Sequence, residues 1–158
     1  MIRNYDNWRS LNESRINPEQ RVLLDLGLLD LTQDQIYWLE RGTEGTWTLD
    51  EETGLVDIDG SFYFGFKELT DLCGLRFGKV TGAFDCSGND ITSLSGAPRW
   101  VGGSFWCNRN ELSSLEGAPD WVGGDFDCSN NHLKLNVIFH IDQIITVKGE
   151  IISAPQQE

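Results

Sequence analysis

No stretch of this chain runs apolar for the roughly 18 residues that a bilayer-spanning helix needs, and its start lacks the basic region and apolar core of a secretory signal. The expectation is a soluble protein made in a cytoplasm, with no membrane partner. Cysteine is scarce: Cys73, Cys86, Cys107 and Cys128 include no CxxC pair, so neither a zinc knuckle nor a thioredoxin-type redox motif is written. Histidine occurs only at His132 and His140, and no nucleophile elbow, phosphate loop or HExxH helix accompanies it. Neither an enzyme nor a cofactor or metal ion is expected. Positive charge is short as well, with 12 Lys and Arg against 25 Asp and Glu and a net charge of −13. It divides as −6 over residues 1–55 and −7 over residues 56–158, so the acidity is spread. Such a field repels phosphate backbones, which argues against direct nucleic-acid binding and for a protein partner with a basic surface.

What is present is a folded chain of 158 residues with 39% hydrophobic content, six Trp and eight Phe, enough for one sizeable core. It is also a repeating chain. Val80-Thr-Gly82-Ala-Phe84-Asp-Cys86, Val101-Gly-Gly103-Ser-Phe105-Trp-Cys107 and Val122-Gly-Gly124-Asp-Phe126-Asp-Cys128 recur at intervals of 21. A weaker copy, Ile58 to Phe64, precedes them at an offset of 22, and a truncated one, Val147 to Ile152, follows. One such unit cannot bury its own apolar side, so a period of this length implies stacked coils.

Within a unit Val, Gly, Phe and Cys alternate with polar or variable residues, the period of a strand buried on one face. One short parallel strand per unit is expected, rising about 4.8 Å per rung so that each Phe meets the next. Alternation places the aligned cysteines inside, as small hydrophobes. Asn89, Asn110 and Asn131 come next, suited to satisfying the polar groups of a coil corner. Ile91, Leu112 and Leu133 then return to the core, and Gly-Ala-Pro at 96–98 and 117–119 punctuates the way to the next strand.

The line F-x-C-x-x-N-x-L-x-x-L resembles the core of a leucine-rich repeat, with Phe and Cys where Leu usually stands. The whole unit VGGxFxCxxNxLxSLxGAP is similar to a short leucine-rich-like repeat of large tailed bacteriophages, over roughly residues 56–135. The resemblance implies an α+β fold: a parallel β-solenoid of leucine-rich-repeat type with about four or five rungs. The start, MIRNYDNWRSLNES, is similar to the capsid-targeting peptide of internal head proteins in T-even-like phages. That resemblance implies cleavage after Glu13 within Leu11-Asn12-Glu13, ahead of Ser14. It also implies expression in the host cytoplasm and packaging in the virion interior. An amphipathic helix with Tyr5, Trp8 and Leu11 on its apolar side is the other reading of residues 3–12.

Asn17-Pro18-Glu19 reads as a helix start, with Val22, Leu23, Leu26 and Leu29 as its apolar face. Thr32-Gln-Asp-Gln35 reads as a capping box for a helix ending near Gly42. Thr46–Leu49 and Leu55–Ile58 then flank a turn, suggesting a hairpin that feeds the first rung. The expected organisation is a targeting peptide or first helix over 1–14, a helical and hairpin N-terminal cap over 15–57, the repeat solenoid over 58–135, and a capping turn, strand and tail over 136–158.

Function is sought in the outward letters, which the repeat leaves free to vary. Across the rungs they read Tyr63, Asp85, Trp106 and Asp127 between Phe and Cys, and Ser61, Ala83, Ser104 and Asp125 before Phe. Tyr63, Asp85, Ser104, Trp106, Asp125 and Asp127, with Arg109 beside them, are the expected partner-binding face. Aromatic anchors there would supply contact area and the carboxylates would select a basic partner. The chain reads as a non-enzymatic protein-binding module. An acidic inhibitor that occupies the nucleic-acid site of a host defence or replication protein is the second reading.

Overall fold

The computed structural model describes residues 15–154, and these form a parallel β-solenoid of about five turns with few helices. Two helices open it, α1 (Arg21–Asp25) and α2 (Gln33–Gly42). The capping box at α2 is present as read: Thr32 Oγ1 accepts from the Gln35 amide at 3.1 Å, and Gln35 Oε1 accepts from the Thr32 amide at 3.0 Å. The first helix is shorter than its apolar letters suggest. Gln20 at its N-cap does not cap the helix, its side chain bonding instead to the Leu49 carbonyl (2.6 Å) and amide (2.8 Å), and the chain leaves the helix at Gly27 through a positive φ of 67°. Of the expected stripe Leu29 is buried and Leu23 packs partly against the core, Leu24 is buried as well, and Val22 and Leu26 face solvent.

Strands β1 (Thr43–Leu49) and β2 (Val56–Tyr63) form the antiparallel hairpin read from the sequence. Every later pairing is parallel. Each 21-residue unit carries two short strands rather than the single one expected. These are β3 (Phe77–Val80) and β4 (Phe84–Asp85), β5 (Trp100–Val101) and β6 (Phe105–Trp106), and β7 (Trp121–Val122) and β8 (Phe126–Asp127). The last coil has α3 (Leu135–Ile138), α4 (Ile141–Ile144), β9 (Thr146–Val147) and β10 (Ile151–Ile152), so two short helices stand where a simple turn was expected. The sheet runs β10-β8-β6-β4-β2-β3-β5-β7-β9, with β1 added beside β2.

Glycine explains the division into two ladders. A methyl group built at Gly103 would lie 2.8 Å from the Gly82 carbonyl carbon, and one at Gly124 would lie 2.8 Å from the Ser104 amide nitrogen. The coils touch backbone to backbone at this corner, and only a residue without Cβ permits that approach. The strand therefore breaks and bends between Val and Phe.

Behind the bend Phe62, Phe84, Phe105 and Phe126 stack, the last three with centroid spacings of 5.4 and 5.6 Å and planes within 7° of parallel. Val80, Val101 and Val122 line the first ladder, and Cys86, Cys107 and Cys128 the far side, all buried. The asparagines do what their position implied, and they also join coils. Asn110 Nδ2 donates to the carbonyls of Cys107 in its own coil (3.1 Å) and Cys86 in the preceding one (2.9 Å), and its Oδ1 accepts from the Ile91 amide at 3.0 Å. Asn131 repeats this on Cys128, Cys107 and Leu112, as Asn89 does on the coil before.

Candidate binding face and aromatic groove

The register brings the expected residues into two columns on the outer side. Tyr63 pairs with Asp85, Asp85 with Trp106 and Trp106 with Asp127. Tyr63 is 40% exposed, Arg109 is exposed, and Asp85, Ser104, Trp106, Asp125 and Asp127 are half-buried. This surface does not continue unbroken into the first ladder, because the strand breaks at the glycines.

Nor are its carboxylates simply held out to solvent. Asp85 Oδ1 accepts from the Ser87 amide (2.8 Å) and hydroxyl (2.6 Å), and Asp127 Oδ1 accepts from the Ser129 amide (3.0 Å) and hydroxyl (2.6 Å). One oxygen of each thus fixes the turn into the corner. Asp125 Oδ1 takes the Glu150 amide at 2.8 Å and Ser104 Oγ takes the Asp125 amide at 3.0 Å, so the second column ties rung to rung. Asp-x-Ser at 85–87 and 127–129 was the sequence signal for the first of these bonds.

The column runs into a groove that sequence reasoning missed. Helix α2 lays Tyr37, Trp38 and Arg41 beside the first coils, and with Tyr63, Phe66, Lys67 and Asp85 they line a depression of about 330 Å³. Trp38 packs edge-on to Phe64 at 5.4 Å and to Tyr37 at 5.2 Å, and the Arg41 guanidinium lies 5.4 Å over the Tyr37 ring. Phe66 is 67% exposed and held at a φ of 56°. The same left-handed corner recurs at Gly88, Arg109 and Asn130, so the coil demands it. A bulky residue there is strained, and strain of this kind clusters at ligand sites. Its ring lies over Gly88, where a Cβ would approach it to 2.4 Å, so the glycine of the second coil makes the room.

Elsewhere the surface offers less. A shallower depression of about 690 Å³ on the return side is lined by Arg76, Ser93, Ser95, Arg99 and Glu116 among others. Its cations are engaged: the Arg76 guanidinium donates to the Thr53 carbonyl and Arg99 sits 3.5 Å from Asp120. Burial pushes the Cys128 thiol up to about 12 and raises the Cys86 and Cys107 thiols well above their ordinary value, and it pushes Cys73, half-buried near Asp71 and Asp34, up to about 11. None is a nucleophile at neutral pH. Among the described residues no group of three or more His, Cys, Asp or Glu is placed to hold a metal ion, and no helix is long and apolar enough to cross a membrane. Leu11, Glu13 and Ser14, the expected cleavage site, lie outside the described residues.

No protein-family model matches this chain, and no curated protein or solved structure matches it either.

Proposed function

We propose that this chain is a non-enzymatic, leucine-rich-repeat-like protein-binding module of phage origin. In this reading α2 and the β1–β2 hairpin serve as the N-terminal cap of the solenoid. The outer strip captures a partner protein with a basic surface. One observation carries it: Tyr63 and Asp85 belong both to the strand column and to the groove. Aromatic and acidic side chains thus alternate from Tyr63 through Asp85 and Trp106 to Asp127, and Phe66 beside Tyr63 carries the strip into the groove. Rungs about 4.8 Å apart hold these groups at fixed spacing, so little side-chain ordering remains to oppose binding. Trp and Tyr on a rigid surface are the residue types that dominate such interfaces, and the outer oxygens of Asp85 and Asp127 select for Lys or Arg.

The test is affinity purification from infected cells with the native chain and with Trp106→Ala combined with Asp127→Asn. Asn retains an acceptor for Ser129, so the corner survives while the charge is removed. Loss of the captured proteins with unchanged thermal unfolding supports the strip. Capture of the same proteins in the same amounts refutes it. Packaging is a separate clause of the proposal: mass spectrometry of purified virions is expected to find the chain with its terminus at Ser14, and its absence from virions removes that clause.

A further inference from the structure

The two ends of the sheet path, β9 and β10, both belong to the last coil. Among the described residues β9 pairs only with β7 and β10 only with β8, which leaves one edge of each unpaired. At the other end of the stack β1 already lies along β2. An open edge is a template for another strand, and natural sheets guard it with charge or proline. Here the charges Lys148 and Glu150 stand between the two strands and leave apolar surface open beside them: Ile151 and Ile152 are 37% and 38% exposed, and Phe139 of the same coil is 72% exposed.

We propose that the last coil is the interface of a two-fold symmetric dimer, in which β9 pairs antiparallel with β10 of a second copy and β10 with its β9. Three observations favour a second copy as the occupant. The strands are symmetric in number about Gly149: Thr146 and Val147 precede it by three and two residues, and Ile152 and Ile151 follow it by the same intervals. An antiparallel register centred on Gly149 therefore matches Val147 with Ile151 and Thr146 with Ile152 twice, as an isologous contact requires. With the axis normal to the sheet, both cores stay on one side and the stacked coils become continuous.

The same register places Lys148 of each copy opposite Glu150 of the partner subunit, so the central charges are complementary. Finally, residues 134–154 carry Lys134, Lys148, Asp142 and Glu150 and so are neutral, within a chain of net charge −13. Two acidic molecules meet with least repulsion at this end.

The experiment is sedimentation velocity on the full chain between about 1 and 100 μM, a range that separates dimers of ordinary affinity from monomers. The native chain is expected to dimerise. Lys148→Glu and Glu150→Lys each set like charges opposite one another twice, and each is expected to weaken the dimer about tenfold or more. The double variant, K148E with E150K, restores it. Because all three variants alter exposed side chains, thermal unfolding is expected to be unchanged and serves as the control. A native chain that stays monomeric throughout overturns the proposal. Dimers indifferent to the single changes, or not restored by the double, overturn the register.

Discussion

Trp121 lies flat against Trp100, their ring centroids 4.9 Å apart and their planes inclined by only 2°. Aromatic pairs favour offset-stacked as well as edge-to-face arrangements, and the spacing of rungs selects the parallel one here. On the outer face of Trp100 sits the Lys79 ammonium, 4.5 Å from the ring centroid, in the same column one rung earlier. The column thus ends in a cation where a third tryptophan would stand.

This stack predicts a spectroscopic signature. The native protein should show a coupled tryptophan signal in circular dichroism that is lost in Trp121→Ala. Lys79→Gln is expected to keep the signal and to cost about 0.5 to 1 kcal/mol by denaturant titration, the worth of an exposed cation–π contact.

The glycine corner predicts an asymmetry between small and large changes. Gly103→Ala adds one methyl group, yet that group meets backbone at 2.8 Å and no flexible side chain is there to yield. A loss of about 1 to 3 kcal/mol is expected, as for overpacked cores, and chemical denaturation measures it.

The phenylalanine stack makes the opposite kind of change costly. Phe105 touches Phe84 and Phe126 on its two faces and is fully buried, so Phe105→Ala opens a cavity between two coils. The expected cost is about 3 to 5 kcal/mol. The partner capture proposed for the outer strip should survive at temperatures where the variant remains folded.

The buried thiols predict a loss of stability at alkaline pH. Folding raises the Cys128 thiol from its ordinary 9.0 to about 12, because burial disfavours the thiolate. A group with a raised folded pKa stabilises fully below its unfolded pKa and loses that contribution as pH rises. Stability should therefore fall above about pH 9, by up to about 1.4 kcal/mol per pH unit for each core thiol. Cys107→Ala should make the decline shallower, and denaturant titrations at about pH 8 and pH 10.5 compare the two slopes. Thiol reagents should reach half-buried Cys73 before the three core cysteines.

The parts of this architecture that could be read from sequence are those that must fit their own copies. Phe105 recurs as Phe126 because a ring stacks best on a ring, and Asn110 recurs as Asn131 because each corner has the same orphan groups. The Gly-Gly pair was legible as part of the repeat but not as a bend, since alternation alone does not distinguish one strand from two. The groove was hidden for another reason. Phe66 belongs to the least regular copy and meets Tyr37 and Trp38 only through tertiary packing of α2. Glu40 was equally hidden: its carboxylate is buried and accepts from the Ile16 amide at 3.1 Å and from the Trp47 indole at 2.8 Å, partners 24 and seven positions away. In α1, hydrophobicity was misleading because Gly27 ends the helix before a full apolar stripe can form.

The asparagine bridges give the stack a direction. Asn110 completes the corner that contains Cys86 and Ile91, and Asn131 completes the corner of Cys107 and Leu112, so every coil is finished by the one that follows it. Loss of order in a late coil strips the Ile91 or Leu112 amide of its Asn acceptor, whereas loss in an early coil still leaves each later Asn bonded to the carbonyl of its own coil. Amide hydrogen exchange should therefore be graded along the chain, fastest in the final turn and slowest near Phe84, with opening events that travel from the C-terminal end inward.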